Sequence, residues 1–297
     1  MNSTGKNFRK GSKGNPGKQE EIWINPVGGY GDMLMVLGVL KLAFEKKTSQ
    51  KYKLARRTRY LTIFKEHPAI EYIGFPPKDA KIIRTDYWAK EKLGGGNQRP
   101  YQILARAFGL STPVKETLYL PGKIEVDESL DKIIPWKKKN IIIAPGSDSP
   151  RKMMPSTKWE SLTEKLIKEN FLVIQVGRMF DRHIKGAYSL LGLTTPHQLL
   201  GVLKKVDLVI TVDNFIMHAA YLSGTKTITI FGPTQPEIYG YSCQIVLRAS
   251  LDHCKQCDKC LGSEYPTNYP SLCPLNHNHC MEKIPEKNIY NEVLSNI

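Results

Sequence analysis

The chain has 297 residues, 43 Lys and Arg against 28 Asp and Glu, a formal net charge of +15 at pH 7, and 41% hydrophobic residues at a mean hydropathy of -0.35. This is the composition of a soluble globular protein long enough for two domains, each with its own core. No apolar run approaches the roughly 20 residues that span a bilayer, and the first residues are polar rather than signal-like, so a cytoplasmic protein is expected.

The positive charge is uneven. Residues 1–19 carry Lys6, Arg9, Lys10, Lys13 and Lys18 with no acid, among Gly, Ser, Asn and Pro, and read as a disordered basic tail. A second cluster, KYKLARRTR from Lys51 to Arg59, lies inside a predicted fold. It reads either as a solvated face or as a surface for phosphate-bearing partners: nucleic acid, anionic lipid headgroups or phosphorylated sugars.

In chain order, Glu21 to Asn25 is a short strand, the turn 26–32 carries Gly28, Gly29, Gly31 and Asp32, and Met33 to Lys46 has helical spacing. Glycines in such a turn let the backbone approach another group. Asp32, at the helix entrance, is either a first-turn acid that complements the dipole or a functional carboxylate. Strands at Tyr52–Ala55, Ile70–Phe75 and Lys81–Thr85 follow, with short helices at Thr58–Glu66 and Arg99–Phe108, the latter ended by Gly109. The first domain is expected to span 20–125. Residues 126–139, within the Pro-containing stretch from Ser111 to Lys139, are expected as a linker.

The second domain, 140–297, opens with the buried strand Asn140–Ala144 and the loop PGSDSPRKMMP. A helix from Ser156 to Glu169, with Ser156 as N-cap, and a strand from Phe171 to Val176 come next. His183–Leu191 and Thr195–Lys204 read as helices, the second with Pro196 in its first turn. The organising stretch is VDLVITVDNFIMHAAYLSGTKTITIFGP, from Val206 to Pro233. It holds a buried strand, a polar turn at Asp213-Asn214, a helix carrying Met217 and His218, and a second buried strand. The fold class is therefore α/β, with two Rossmann-like doubly wound halves. Ligands bind beyond the carboxyl ends of such strands, where a helix N-terminus attracts phosphate.

GGYGD after the first strand, PGSDSPRKMMP before KW, and VDLVITVDNFIMHAA with IFGP together resemble glycosyltransferase family nine, the ADP-heptose heptosyltransferases of lipopolysaccharide synthesis and their relatives. The resemblance covers roughly residues 22 to 284, is thin between residues 50 and 95, and rests on three motifs in order, none specific alone. It implies a GT-B architecture, with the nucleotide sugar (ADP-heptose-like) in the C-terminal domain, the acceptor in the N-terminal one, and no catalytic metal. Asp32 is then the base that deprotonates the acceptor hydroxyl. Lys152 matches the lysine that contacts the donor diphosphate, with Arg151 as assistant or surface residue and Ser147 as a phosphate- or ribose-contacting hydroxyl. Asp213 and His218 match the residues that position the sugar, although an isolated His on an apolar helix is as well read as core. Gly29, Gly31, Asn214, Phe215 and Met217 complete the donor set, and Arg56, Arg57 and Arg59 would face an anionic saccharide or lipid-linked acceptor, possible at the face of the inner membrane.

Two departures stand out. The family pattern Asp-Ser/Thr-Gly-x-x-His is here Asp213-Asn214-Phe215-Ile216-Met217-His218, with a ring where the glycine sits. Either the diphosphate lies further away, or Phe215 turns aside to line a pocket, or donor binding is lost. The acid that often follows the glycine of the preceding strand is also replaced, since Gly177 is followed by Arg178.

The last unusual stretch is Cys254-x2-Cys257-x2-Cys260-x12-Cys273-x6-Cys280, with Cys243 nearby. In a cytoplasmic chain this favours a metal over disulfides. The resemblance picks Cys254, Cys257, Cys273 and Cys280 and leaves Cys260 spare. Four thiolates suit structural zinc or a mononuclear iron, with an iron–sulfur cluster as the alternative. Two competing functions remain: a nucleic-acid-binding protein or nucleic-acid-directed transferase, drawing on the basic clusters, and a degenerate transferase that only binds. The final helix, Pro285 to Ile297, is expected to cross back onto the N-terminal domain.

Overall fold

The computed structural model of the protein describes residues 21–47, 50–56, 60–87, 98–125, 127–248 and 279–297. The basic tail, Arg57, Arg59 and the cysteines at 254, 257, 260 and 273 lie outside the described residues.

The N-terminal half holds β1 (Ile22–Asn25), α1 (Tyr30–Lys46), β2 (Tyr52–Ala55), α2 (Leu61–Phe64), β3 (Ile70–Gly74), β4 (Lys81–Arg84) and α3 (Pro100–Ala107). Its strands form a parallel sheet in the order β3-β2-β1-β4. Alternation in β1 sends Ile22 and Ile24 to the core shared with Leu54, while Trp23 takes the opposite face. α1 starts at Tyr30, three residues before the expected Met33. The reason is local: Asp32 at its third position reaches back to the Gly29 backbone N–H, one half of a capping box, which lets the helix begin inside the glycine turn.

The C-terminal half contains α4 (Glu128–Ile133), β5 (Asn140–Ala144), a 3-10 turn at Pro150–Lys152, α5 (Ser156–Lys168), β6 (Leu172–Gln175), β7 (Tyr188–Ser189), α6 (Pro196–Leu203), β8 (Leu208–Val212), α7 (Phe215–Ser223), β9 (Thr227–Phe231), α8 (Pro236–Tyr239), β10 (Ile245–Arg248), α9 (His279–Glu282) and α10 (Glu286–Asn296). Its parallel sheet runs β10-β9-β8-β5-β6-β7. Numbered within its own half this is the order 3-2-1-4-5-6, the dinucleotide-fold order, whose switch point lies between β5 and β8. The inner strands β5, β6, β8 and β9 are buried on both faces, as a helix-covered parallel sheet requires.

The expected linker 126–139 contains the helix α4, capped by Asp127, which accepts the Ser129 N–H at 2.8 Å. Three expectations are corrected. Ser156 is the first residue of α5, and the N-cap position is Pro155. No helix forms over 183–191: the buried Gln175 side chain takes the Ile184 N–H at 2.7 Å and donates to the Arg182 carbonyl at 2.8 Å, so these groups are used across the chain instead of along a helix. That segment supplies β7. The terminal helix α10 stays on its own half, burying Ile289 and Val293 in the core of the C-terminal sheet with α5. Lys165 pairs with Glu286 at 2.9 Å, and Lys158 Nζ donates to the Ile284 carbonyl at 2.7 Å, which fixes its approach.

The two halves share one hydrophobic cluster. Met33, Leu34 and Leu37 of α1 belong to the same core as Ile216, Ala219 and Ala220 of α7 and Leu199 and Leu200 of α6. α1 lies directly against α7. Both helices start at the carboxyl ends of strands beside a switch point, so this packing brings the two strand-end loop sets together.

Candidate active site

Three segments meet there: the glycine turn after β1, the loop and 3-10 turn after β5, and the β8–α7 turn. On the first, Asp32 Oδ2 accepts the Gly29 N–H at 2.6 Å and Oδ1 accepts the Tyr87 hydroxyl at 2.9 Å. Gly28 adopts φ +128, and a Cβ on it would meet the Asp32 carboxylate, so this residue must lack a side chain. Burial pushes the Asp32 carboxyl above its ordinary value, against the opposing pull of the Gly29 N–H, the Tyr87 hydroxyl and the Lys152 charge. Asp32 thus serves as a first-turn helix acid and also faces the opposite half of the molecule.

On the second segment, Lys152 Nζ meets Asp213 Oδ2 at 2.7 Å. Asp213 is buried, its side chain only 7% exposed. Burial works to raise its carboxyl, but Lys152, with His218 adding to the effect, holds it below the ordinary value. Arg151 is buried in the 3-10 turn and is not a surface residue. Ser147 is half-buried, with its hydroxyl 3.3 Å from the Ser149 N–H that it accepts.

Asn214 caps α7. Its Oδ1 accepts the N–H groups of Ile216 at 2.8 Å and Met217 at 3.3 Å and the Thr211 hydroxyl at 3.0 Å. Its Nδ2 donates to the carbonyls of Gly146 at 2.7 Å and Ala144 at 3.2 Å. The side chain therefore stitches the β8 turn to the β5 loop, and two of the free N–H groups of the helix start are satisfied inside the protein. What α7 offers an anion is its dipole and the turn preceding it. Met217 is fully buried beside Phe231 and Tyr241. Phe215 turns toward the N-terminal half, with its ring 5.6 Å from that of Tyr30, which in turn packs edge-on against Tyr60 at 4.9 Å. Tyr60 donates to the Gly28 carbonyl and braces the glycine turn.

His218 is a further contact between the halves. It is buried, its Nδ1 lies 2.6 Å from the Tyr241 hydroxyl, and its Cδ2–Nε2 edge fills the notch left by Gly31. A Cβ on Gly31 would collide with Cδ2 and lie 2.9 Å from Nε2. Burial lowers the imidazole pKa to about 4, with Asp213 opposing and Lys152 reinforcing the shift. The ring is packed as a core residue would be, and it also borders Asp213.

Asp32, Lys152, Asp213, Phe215, His218 and Gly31 are thus brought together. Arg56 is exposed at the carboxyl end of β2, on the sheet edge shared by the glycine turn. Three participants had no signal in the sequence: Tyr87, Tyr241 and Asp181. Asp181 is four residues after Gly177. Its Oδ2 accepts the Arg178 N–H at 2.8 Å, and its carboxylate occupies the space beside Gly146 and Gly177. A carboxylate thus stands at the end of β6 although none follows Gly177 directly.

Among the described residues no group of three or more His, Cys, Asp or Glu gathers as a metal site. Cys280, the one expected ligand among them, is half-buried, with its sulfur beside Gly232, which follows β9.

Two halves with dinucleotide-fold strand order, meeting at their switch points around a carboxylate, a lysine and a helix start, define a GT-B-type nucleotide-sugar fold. The chain belongs to glycosyltransferase family 9 (heptosyltransferase), whose family model matches residues 97–265. It is 30% identical over 146 residues to lipopolysaccharide heptosyltransferase 1 of Campylobacter coli, an alignment that takes in 40% of this chain and 41% of that protein. Among solved structures it resembles the iron-containing dodecameric glycosyltransferase TibC of enterotoxigenic E. coli, with a TM-score of 0.70 at 14% identity over 94% of this chain and 76% of that one. It also resembles E. coli ADP-heptose lipopolysaccharide heptosyltransferase II, with a TM-score of 0.60 at 13% identity over 93% of this chain and 98% of that one. No helix among the described residues is long and apolar enough to cross a membrane.

Proposed function

We propose that the chain is an inverting glycosyltransferase that moves a heptose from an ADP-linked donor to a hydroxyl of an anionic acceptor such as a lipopolysaccharide core. The observation that carries this reading is the placement of Asp32, on the switch-point turn of one sheet, opposite the Lys152–Asp213 pair on the switch-point loops of the other. Asp32 takes the acceptor proton, and its raised pKa suits a base. Lys152 stabilises negative charge on the departing diphosphate, the electrostatic role that a fixed cation fills without a metal. Asp213 and His218 hold the sugar. Phe215, by packing on Tyr30, clears the helix start and lines the junction where sugar and acceptor would meet. Transfer takes place in the cytoplasm, with any membrane contact peripheral and mediated by the acceptor.

Cys254, Cys257, Cys273 and Cys280 would hold a structural zinc or iron, a donor set of four thiolates that suits either ion. The support is the position of Cys280 at the end of β9 and the likeness to a protein described as iron-containing. Nothing among the described residues favours a nucleic acid as acceptor.

The test is a calorimetric screen of ADP-, UDP- and GDP-linked sugars, followed by incubation of ADP-heptose with a heptose-deficient lipopolysaccharide core. Selective binding of the ADP-sugar and a mass gain of one heptose, with inverted anomeric configuration by NMR, is the expected result. If no nucleotide sugar binds to metal-replete protein, the chain is a binding protein built on the transferase fold.

A further inference from the structure

Tyr241 packs beside His218 at the site. It is buried, its ring stacks on Tyr221 with centroids 3.9 Å apart and planes within 9°, and it meets His218 edge-on at 5.7 Å. Its hydroxyl lies 2.6 Å from His218 Nδ1, and no other hydrogen-bond partner for that hydroxyl occurs among the described residues. A buried phenol proton needs an acceptor. If Nδ1 carried the imidazole proton, the phenol oxygen would have to accept it, and the phenol proton would point at nothing. Donation from Tyr241 to Nδ1 satisfies both groups and puts the imidazole proton on Nε2.

We propose that Tyr241 is a positioning residue that locks His218 in the Nε2–H form, making the imidazole a neutral hydrogen-bond donor to an oxygen of the bound nucleotide sugar, in the gap between Asp32 and Asp213. This rests on the transferase reading above for its ligand but not for its tautomer. The groups around the imidazole agree with it. Asp213 comes from the β8 turn, Lys152 from the 3-10 turn, Tyr221 from the same helix, Tyr241 from the segment before β10, and Gly31 with the adjacent Asp32 from α1. Burial keeps the ring neutral above about pH 4 and keeps the Tyr241 phenol protonated well past its ordinary range. Gly31 is what makes room for the Cδ2–Nε2 edge of the ring, since any side chain there would collide with it.

The experiment is 15N NMR of the full-length protein labelled at histidine nitrogens, with the His218 signals assigned from their loss in His218→Gln. Nδ1 should be unprotonated and Nε2 protonated from pH 5 to 8, and Tyr241→Phe, which keeps the stacked ring, should give a mixture of tautomers. A wild-type Nδ1–H form, or an unchanged spectrum in Tyr241→Phe, overturns the proposal whatever the activity. In the transfer assay, Tyr241→Phe should lower kcat about tenfold, the equivalent of one neutral hydrogen bond, with KM for both substrates within about twofold. His218→Gln, which restores a donor near the Nε2 position, should keep more activity than His218→Asn. Equal losses in the two would overturn the donor role. The expected spectra with no transfer by wild-type protein would sink the transferase reading and leave the tautomer standing.

Discussion

Replacing Lys152 with Ala leaves Asp213 buried opposite an empty space. The intact pair, 2.7 Å apart, has a gross Coulomb attraction of about 6 kcal/mol at an effective dielectric constant of about 20, offset in part by the desolvation of both ions. Losing one partner of a buried pair costs about 3–5 kcal/mol when the other stays charged. Asp213 has an escape, however, which is to bind a proton. For an acid of ordinary pKa near 4 this costs about 1.4 kcal/mol per pH unit, hence about 4 kcal/mol at pH 7 and only about 1.4 kcal/mol at pH 5.

The destabilisation of Lys152→Ala should therefore shrink as pH falls. The signs agree. In the wild type the Asp213 carboxyl is held below its unfolded value, so its contribution is full above the unfolded pKa and is lost only as pH drops through the folded one. In the variant its folded pKa rises instead, and stability declines as pH rises above the unfolded value. Urea unfolding of both proteins between pH 5 and 8 measures the difference, and adding Asp213→Asn to Lys152→Ala should restore most of the loss at pH 7. A loss that is the same at every pH, or no rescue by Asp213→Asn, would refute the assignment of the pair.

Asp32→Asn should reduce transfer by about 10²–10⁴-fold while leaving donor affinity within a few-fold by calorimetry. Wild-type transfer should fall as pH drops through the raised Asp32 pKa. Stability should move the other way: the folded state keeps this proton longer than the unfolded chain, so Asp32 destabilises the fold as pH rises from the unfolded to the folded value, and Asp32→Asn removes that dependence. Gly31→Ala gains about 1 kcal/mol of helix propensity but drives a Cβ into His218, an overpacking cost of about 1–3 kcal/mol. A lower melting temperature and a disproportionate loss of transfer are expected, and a more stable, fully active variant would remove His218 from the gap.

Most elements were legible in the sequence because their signals are local. The buried runs Asn140–Ala144, Leu208–Val212 and Thr227–Phe231 are strands on composition alone, and Thr195 with Gln198 forms the capping box before Pro196 where the turn chemistry indicates a helix start. The motif residues Asp32, Lys152, Asp213 and His218 were named from their spacing and the family resemblance, and packing does bring them together. The failures have a common cause in long-range contacts. The helix expected over 183–191 loses to the side chain of Gln175, and the terminal helix stays on its own half because Ile289 and Val293 find a core beside α5.

Tertiary structure alone decided how the site is finished. Tyr87, Asp181 and Tyr241 act across 55, 35 and 23 residues of chain, on Asp32, Gly146 and His218 respectively, and no periodicity or turn rule relates positions so far apart. The fate of Phe215 was undetermined for the same reason. A ring at a helix start either blocks a phosphate or packs aside, and the outcome depends on Tyr30, which only the joining of α1 to α7 places 5.6 Å away. The sequence by itself determined which segments form strands and helices and which residue types could do the chemistry, because those are properties of neighbours along the chain. The charge on Asp32, the pairing of Asp213 and the tautomer of His218 depend on burial and on partners distant along the chain, so they exist only once the fold has packed.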